Sequence, residues 1–143
     1  MRQIKFRAFN GDKMFFVGML DLESDCAWKY YNFHDGYGEE RTNFGKNEKG
    51  VLMQFIGLLD TNDNEIYEGD ILKIKCSWKD KGEAIHRVEY KEELYGGESL
   101  YFTKIKGDNV WDEDVEPTKG WIKKYCILKI IGNKYQNPEL NLN

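Results

Sequence analysis

Met53-Gln54-Phe55-Ile56-Gly57-Leu58-Leu59-Asp60-Thr61-Asn62-Asp63-Asn64-Glu65-Ile66-Tyr67-Glu68-Gly69-Asp70-Ile71-Leu72-Lys73-Ile74 decides the fold of this chain. It reads as an apolar strand, a polar turn, a short strand, a Gly-Asp corner and a further strand. The run Val51 to Gly57 is short and apolar, as in a buried strand. Asp60, Asn62 and Asn64 crowd the turn with residues whose side chains bond their own backbone. Gly69 removes the Cβ clash at the corner, and Asp70 beside it suits hydrogen bonding to turn amides. These five positions are expected to be structural.

Downstream of the corner, Leu72, Ile74, Cys76 and Trp78 alternate with Lys73, Lys75 and Ser77, the clearest amphipathic strand in the chain. Ile85 to Tyr90 is a strand with His86, Val88 and Tyr90 on one face. Gly96-Gly97 breaks it, and Leu100 to Ile105 returns as its hairpin partner. Trp121 to Ile131 alternates again. Its apolar set is Ile122, Cys126, Leu128 and Ile130, and its other face carries Trp121, Lys123, Tyr125, Ile127 and Lys129. Asn137-Pro138 suits a helical turn, with Asn137 as cap.

Upstream, Ile4, Phe6 and Ala8 alternate with Gln3, Lys5 and Arg7. Asn10-Gly11 then offers a type I′ turn, and Met14 to Leu20 forms the return strand. Residues 21–50 show no clean period. They read as an irregular segment with one short strand around Ala27 to Phe33, carrying Trp28, Tyr30, Tyr31, Phe33, Tyr37 and Phe44. The expectation is mainly β, with few short helices, in one domain over 1–143. Its possible substructure is an N-terminal hairpin and irregular segment (1–50) and a barrel-like portion (51–143).

Length and composition set bounds. The chain has 143 residues, 15% of them aromatic, and a net charge of −4. That balance weighs against a protein held mainly by phosphate contacts, though a local basic face remains compatible with it. No apolar run reaches membrane-spanning length and no signal peptide opens the chain, so a cytoplasmic protein without membrane contact is expected. Cys26, Cys76 and Cys126 form no C-x-x-C pair and read as buried free thiols.

No motif specifies chemistry. Asp60 to Asn64 resembles the start of a calcium loop, but Glu65 and Ile71 stand where the loop needs Gly and Glu. Asp112, Glu113, Asp114 and Glu116 read as a solvated acidic loop. His34 and His86 have no triad-like company in the sequence. No enzyme, cofactor or metal site is expected. The face Trp121, Lys123, Tyr125, Ile127, Lys129 is the candidate interaction surface. Buried inside one domain, it would be core; exposed, it suits a protein partner or a nucleic acid, whose bases stack on aromatics while lysines meet phosphate.

Three segments, taken together, resemble the YopX family of phage and prophage proteins. They are Arg2-Gln3-Ile4-Lys5-Phe6-Arg7-Ala8-Phe9; Leu52 to Leu58 with Ile66-Tyr67-Glu68-Gly69-Asp70-Ile71; and Ile131-Gly132-Asn133-Lys134-Tyr135-Gln136-Asn137-Pro138-Glu139-Leu140. Phe9 and Ile56 depart from the family's usual Trp and Thr, and Asn64 stands where a turn Gly is common, which implies a positive φ at Asn64, a conformation Asn tolerates. The resemblance implies a β-rich fold with a small SH3-like barrel portion. It carries over no catalytic residue. A phage origin implies one of two roles, handling nucleic acid or modulating a host or phage protein. The aromatic-rich sequence without catalytic motifs, and its large irregular segment, favour a non-enzymatic accessory protein acting by protein contact, as a homo-oligomer or on a host or phage protein. A nucleic-acid-binding module is the less favoured alternative.

Overall fold

The computed structural model describes residues 3–32, 34, 36–77, 82–108 and 120–141, the side chains of 31, 32, 37, 120, 121, 123 and 141 excepted. The fold is mainly β, with several antiparallel sheets, one of them curled into a half-barrel. Its contacts divide it into two compact units, Met1–Phe55 and Ile56–Asn143. No helix among the described residues is long and apolar enough to cross a membrane.

In the first unit, β1 (Phe6–Phe9) pairs antiparallel with β2 (Met14–Phe16) and with the start of β6 (Val51–Leu59). The β1–β2 connection is a four-residue loop, not the two-residue type I′ turn. Only Gly11 takes a positive φ there, while the Asn10 side chain accepts the N–H groups of Asp12 and Lys13. Met14 to Leu20 is not one strand either. It breaks at Val17-Gly18, and β3 (Met19–Asp21) leaves for another sheet. That sheet, ordered β3-β4-β5 with β4 (Cys26–Asn32) and β5 (Tyr37–Asn43), corrects the irregular reading of residues 21–50. Cys26 and Ala27 are buried in succession and Thr42 is buried on β5, so no alternation marks these strands. The core gathers Ala8, Phe15 and Ala27 against Val17, Leu20, Phe44 and Leu52.

In the second unit, the rest of β6 turns at Asp60 into β7 (Glu65–Tyr67). A second sheet follows in the order β10-β9-β8-β11, from β8 (Asp70–Cys76), β9 (Ala84–Glu92), β10 (Glu98–Gly107) and β11 (Cys126–Asn133). The alternation of β8 and β9 survives as burial. Leu72, Ile74, Cys76, Ala84, His86 and Val88 point inward, with Phe102 of β10 packed on the same core. Trp78 and the acidic loop Asp112 to Glu116 lie outside the described residues.

Two expectations fail here. The strand expected from Trp121 begins only at Cys126, because Gly120–Tyr125 forms a single helical turn and a half, α1. Trp121, Lys123 and Tyr125 therefore belong to the helix and not to the strand that carries Ile127 and Lys129. Cys76 and Cys126 are not free thiols. They stand directly opposite in the β8–β11 register and form a disulfide, leaving Cys26 as the buried free cysteine.

The Gly69-Asp70 corner is built as its residue types require. Gly69 has φ 83°, its N–H donates to the Val88 carbonyl, and its own carbonyl accepts from Lys134. Asp70 is buried and accepts the Tyr67 N–H at 2.8 Å. The positive φ of the Asp60 turn belongs to Asp63, at 64°, and not to Asn64. At the C-terminal end, Asn133 accepts the N–H groups of Tyr135 and Gln136 ahead of a 3-10 turn over Pro138–Asn141. Asn137 does not cap it with its side chain, whose oxygen accepts the Asn133 N–H instead.

Gly69→Val places a branched side chain in left-handed backbone and should cost at least about 1–2 kcal/mol, read from urea unfolding. Asp63→Gly should be neutral or slightly stabilising, since glycine adopts that conformation freely. Titrated in denaturant without reductant, the chain should show one thiol, and after reduction all three.

Candidate functional site

Asp60 and Thr61 bring the deciding turn and the candidate surface together in the second unit. Asp60 is 5% exposed, and its carboxylate accepts four hydrogen bonds. Oδ1 takes the N–H groups of Asn62 and Asn64, both at 2.9 Å. Oδ2 takes the Asn64 side-chain amide and the Ile130 N–H of β11, both at 3.3 Å. Thr61 adds two more bonds to β11, its N–H donating to the Leu128 carbonyl at 2.8 Å and its hydroxyl accepting the Leu128 N–H at 3.0 Å. The turn thus docks on the backbone of β11, some seventy residues later in sequence.

Burial opposes the charge on Asp60. The hydrogen bonds from Asn64, Ile130 and Asn62 outweigh it and hold the carboxyl below its ordinary value.

Between the turn and β11 runs a groove of about 270 Å³, lined by Leu58, Leu59, Thr61, Ile122, Ile127 and Leu128 among others. Two of its lining side chains are apolar and exposed, Ile127 at 56% and Leu59 at 43%, and Tyr125, next to Cys126 in the chain, is 42% exposed. The Lys124 ammonium lies 5.2 Å from the centroid of the Tyr125 ring. A cluster of exposed large apolar side chains around a concavity is the usual mark of an interaction surface.

Ile127 also belongs to the outward face of the β8–β11 pair. It stands opposite Lys75, and Lys129 stands opposite Lys73, all four exposed. Lys73 bonds Glu83 at 2.8 Å. That bond, with the charges of Lys73, Lys75 and Lys129, holds the Glu83 carboxyl below its ordinary value against slight desolvation. A basic strip on an acidic chain therefore borders an apolar groove.

Of the face expected from sequence, the structure brings Tyr125, Ile127 and Lys129 to this region. The side chains of Trp121 and Lys123 are outside the described residues. Asp60 lines the groove and Asn62 and Asn64 donate to its carboxylate behind it, whereas Gly69 and Asp70 form the separate β7–β8 corner. Leu59, Lys73 and Lys75 were not singled out from sequence. The lysines were visible as the outward set of the alternating strand, and only the register showed that they meet β11. His34 is exposed in a turn and His86 is buried on β9. No cluster of metal-ligating side chains occurs among the described residues.

Fold and surface define a mainly β protein of two units, one of which carries an apolar groove beside a lysine strip. The chain belongs to the YopX protein family, whose sequence model matches residues 5–141. Its fold is similar to that of EF1440 from Enterococcus faecalis, with a TM-score of 0.62, 23% identity and 99% of each chain covered. It is also similar to that of yopX from Bacillus subtilis, with a TM-score of 0.60, 19% identity, and 95% of this chain and 96% of that one covered. Comparison with curated proteins gave no match. Neither solved structure carries an activity across at such identities.

The lowered Asp60 pKa sets a sign for acid. Its contribution is complete above the unfolded carboxylate value of about 3.9 and is lost as pH falls through the lower folded value. Asp60→Asn should cost about 1–3 kcal/mol at neutral pH. Its deficit against wild type should narrow as pH falls below the unfolded carboxylate value of about 3.9, measured by urea unfolding.

Proposed function

We propose that the chain is a non-enzymatic phage or prophage accessory protein that works by binding protein, itself included. The observation that carries this reading is the pair of exposed apolar side chains, Leu59 and Ile127, that line the groove, with Tyr125 exposed two residues before Ile127. Such a patch with charge at its border matches the anatomy of protein interfaces, where an apolar centre is ringed by polar groups. The polar groups closest to it are already used. Asp60 and Thr61 hold backbone N–H groups, so they serve structure and not a reacting substrate.

A second reading uses the same lysines. Lys73, Lys75 and Lys129, with Lys106 exposed on β10, lie on strands of one sheet and would meet a nucleic-acid backbone. Affinity would then fall steeply with salt.

A photo-cross-linking amino acid at Ile127, with one at the exposed Leu94 in the β9–β10 turn as control, separates the readings. In cells, the protein-binding reading expects discrete protein adducts from position 127, few from position 94, and no change on nuclease treatment. Adducts that vanish with nuclease would favour the second reading. No adduct at 127 would remove the groove as the binding face.

A further inference from the structure

The first unit carries a segment whose chemistry complements the groove. The β3–β4 connection is Asp21-Leu22-Glu23-Ser24-Asp25, a tight acidic turn in which Leu22 is 69% exposed. Asp21 fixes its shape by accepting the N–H groups of Glu23 at 3.0 Å and Ser24 at 3.2 Å. Asp25 sits at a positive φ of 49°, folding the turn back on itself. The result is one aliphatic side chain held out among three carboxylates. A preformed turn of this kind loses little conformational freedom on docking.

We infer that the protein self-associates, with the Asp21–Asp25 turn of one copy seated on the β8–β11 face of another. Leu22 enters the groove beside Ile127, and the carboxylates of the turn meet Lys75 and Lys129. The inference rests on the protein-binding reading above and names its partner as a second copy. The groove is lined by the aliphatic Leu58, Leu59, Ile122, Ile127 and Leu128 together with Asp60, Thr61, Asp63 and Cys126. Charge is complementary at the lysine strip beside Ile127, away from the acidic turn at Asp60 and Asp63. The aliphatic lining suits a leucine better than a nucleobase, which gains most from aromatic stacking. An apolar anchor ringed by charge is how small contacts obtain both energy and register. Lys73 is engaged by Glu83 within its own sheet, which leaves Lys75 and Lys129 as the lysines of the strip for the incoming carboxylates. The two contact surfaces differ, so association is head-to-tail or a reciprocal pair.

Light scattering on the full chain at tens of micromolar tests this. Wild type should show a mass about twice or more that of one 16.9 kDa chain, falling at high salt. Leu22→Asp alone, and Lys75→Glu with Lys129→Glu, should each give the mass of one chain. These positions are exposed, so circular dichroism and the melting temperature should stay at wild type. A Glu23→Lys chain mixed with the Lys75→Glu, Lys129→Glu chain should recover a mixed complex, because the swapped charges again oppose. The inference is overturned if wild type is a monomer, or if the oligomer survives both single-sided changes. It is also overturned if labelled single-stranded DNA binds wild type and not the double lysine variant, with mass unchanged by either. A monomeric wild type that still cross-links to another protein through position 127 would remove self-association and leave protein binding standing.

Discussion

The carboxylate of Asp60, beside the two backbone bonds of Thr61, ties its turn to β11 some seventy residues later. Taking a carboxylate out of water is costly unless its lone pairs are filled. Here four donors fill them, three from the turn itself and one from β11. The turn contributes the local donors because Asp63 accepts a left-handed backbone, which aims the Asn64 N–H back at Asp60. The long-range donor then fixes where β11 runs. Removing the acceptor would leave buried N–H groups without partners, a loss larger than the modest net gain of any one of these bonds. Both walls of the groove, residues 58–61 with 63 and residues 122 and 126–128, meet at that junction.

How legible this was depended on whether a segment's two faces differ. β8 has Leu72, Ile74 and Cys76 inward and Lys73 and Lys75 outward, so period two shows it plainly. The paired strands β9 and β10 were readable for the same reason, and Gly96-Gly97 marked their turn. β4 and β5 were not, because buried Cys26 and Ala27 are adjacent and polar Thr42 takes an inward place. The α1 turn was hidden by arithmetic. Ile122 and Cys126 are four apart, a spacing that a strand and a helix both place on one side. The disulfide was hidden because spacing along the chain says nothing about register across strands. Once β8 and β11 pair, Cys76 and Cys126 are direct neighbours.

The charge of the whole chain was a poor guide to its surface. A net charge of −4 describes a sum, whereas a partner meets a face. On β8 and β11 the outward positions at Lys73, Lys75 and Lys129 are lysines, with Glu83 drawn close to one of them. On the β3–β4 turn, three carboxylates surround Leu22. Fields of both signs, each localised within roughly a Debye length, coexist on one chain and steer contacts that the net charge alone would not suggest.

The change from helix to strand at Tyr125 and Cys126 is what creates the exposed apolar patch. Ile122 is buried from α1 and Leu128 from β11, so the core holds this segment at two points six residues apart. Between them, Cys126 is tied to Cys76 and Ser77 donates its N–H to the Tyr125 carbonyl at 2.9 Å. The residues flanking Cys126 then have nowhere to go but outward. Had the strand run unbroken from Trp121, Tyr125 and Ile127 would have been two steps of one regular sheet face. Instead, Tyr125 ends a helix while Ile127 opens a strand face shared with lysines. One junction thus sets an exposed aromatic ring, an aliphatic wall of the groove and a basic strip within a few residues of each other.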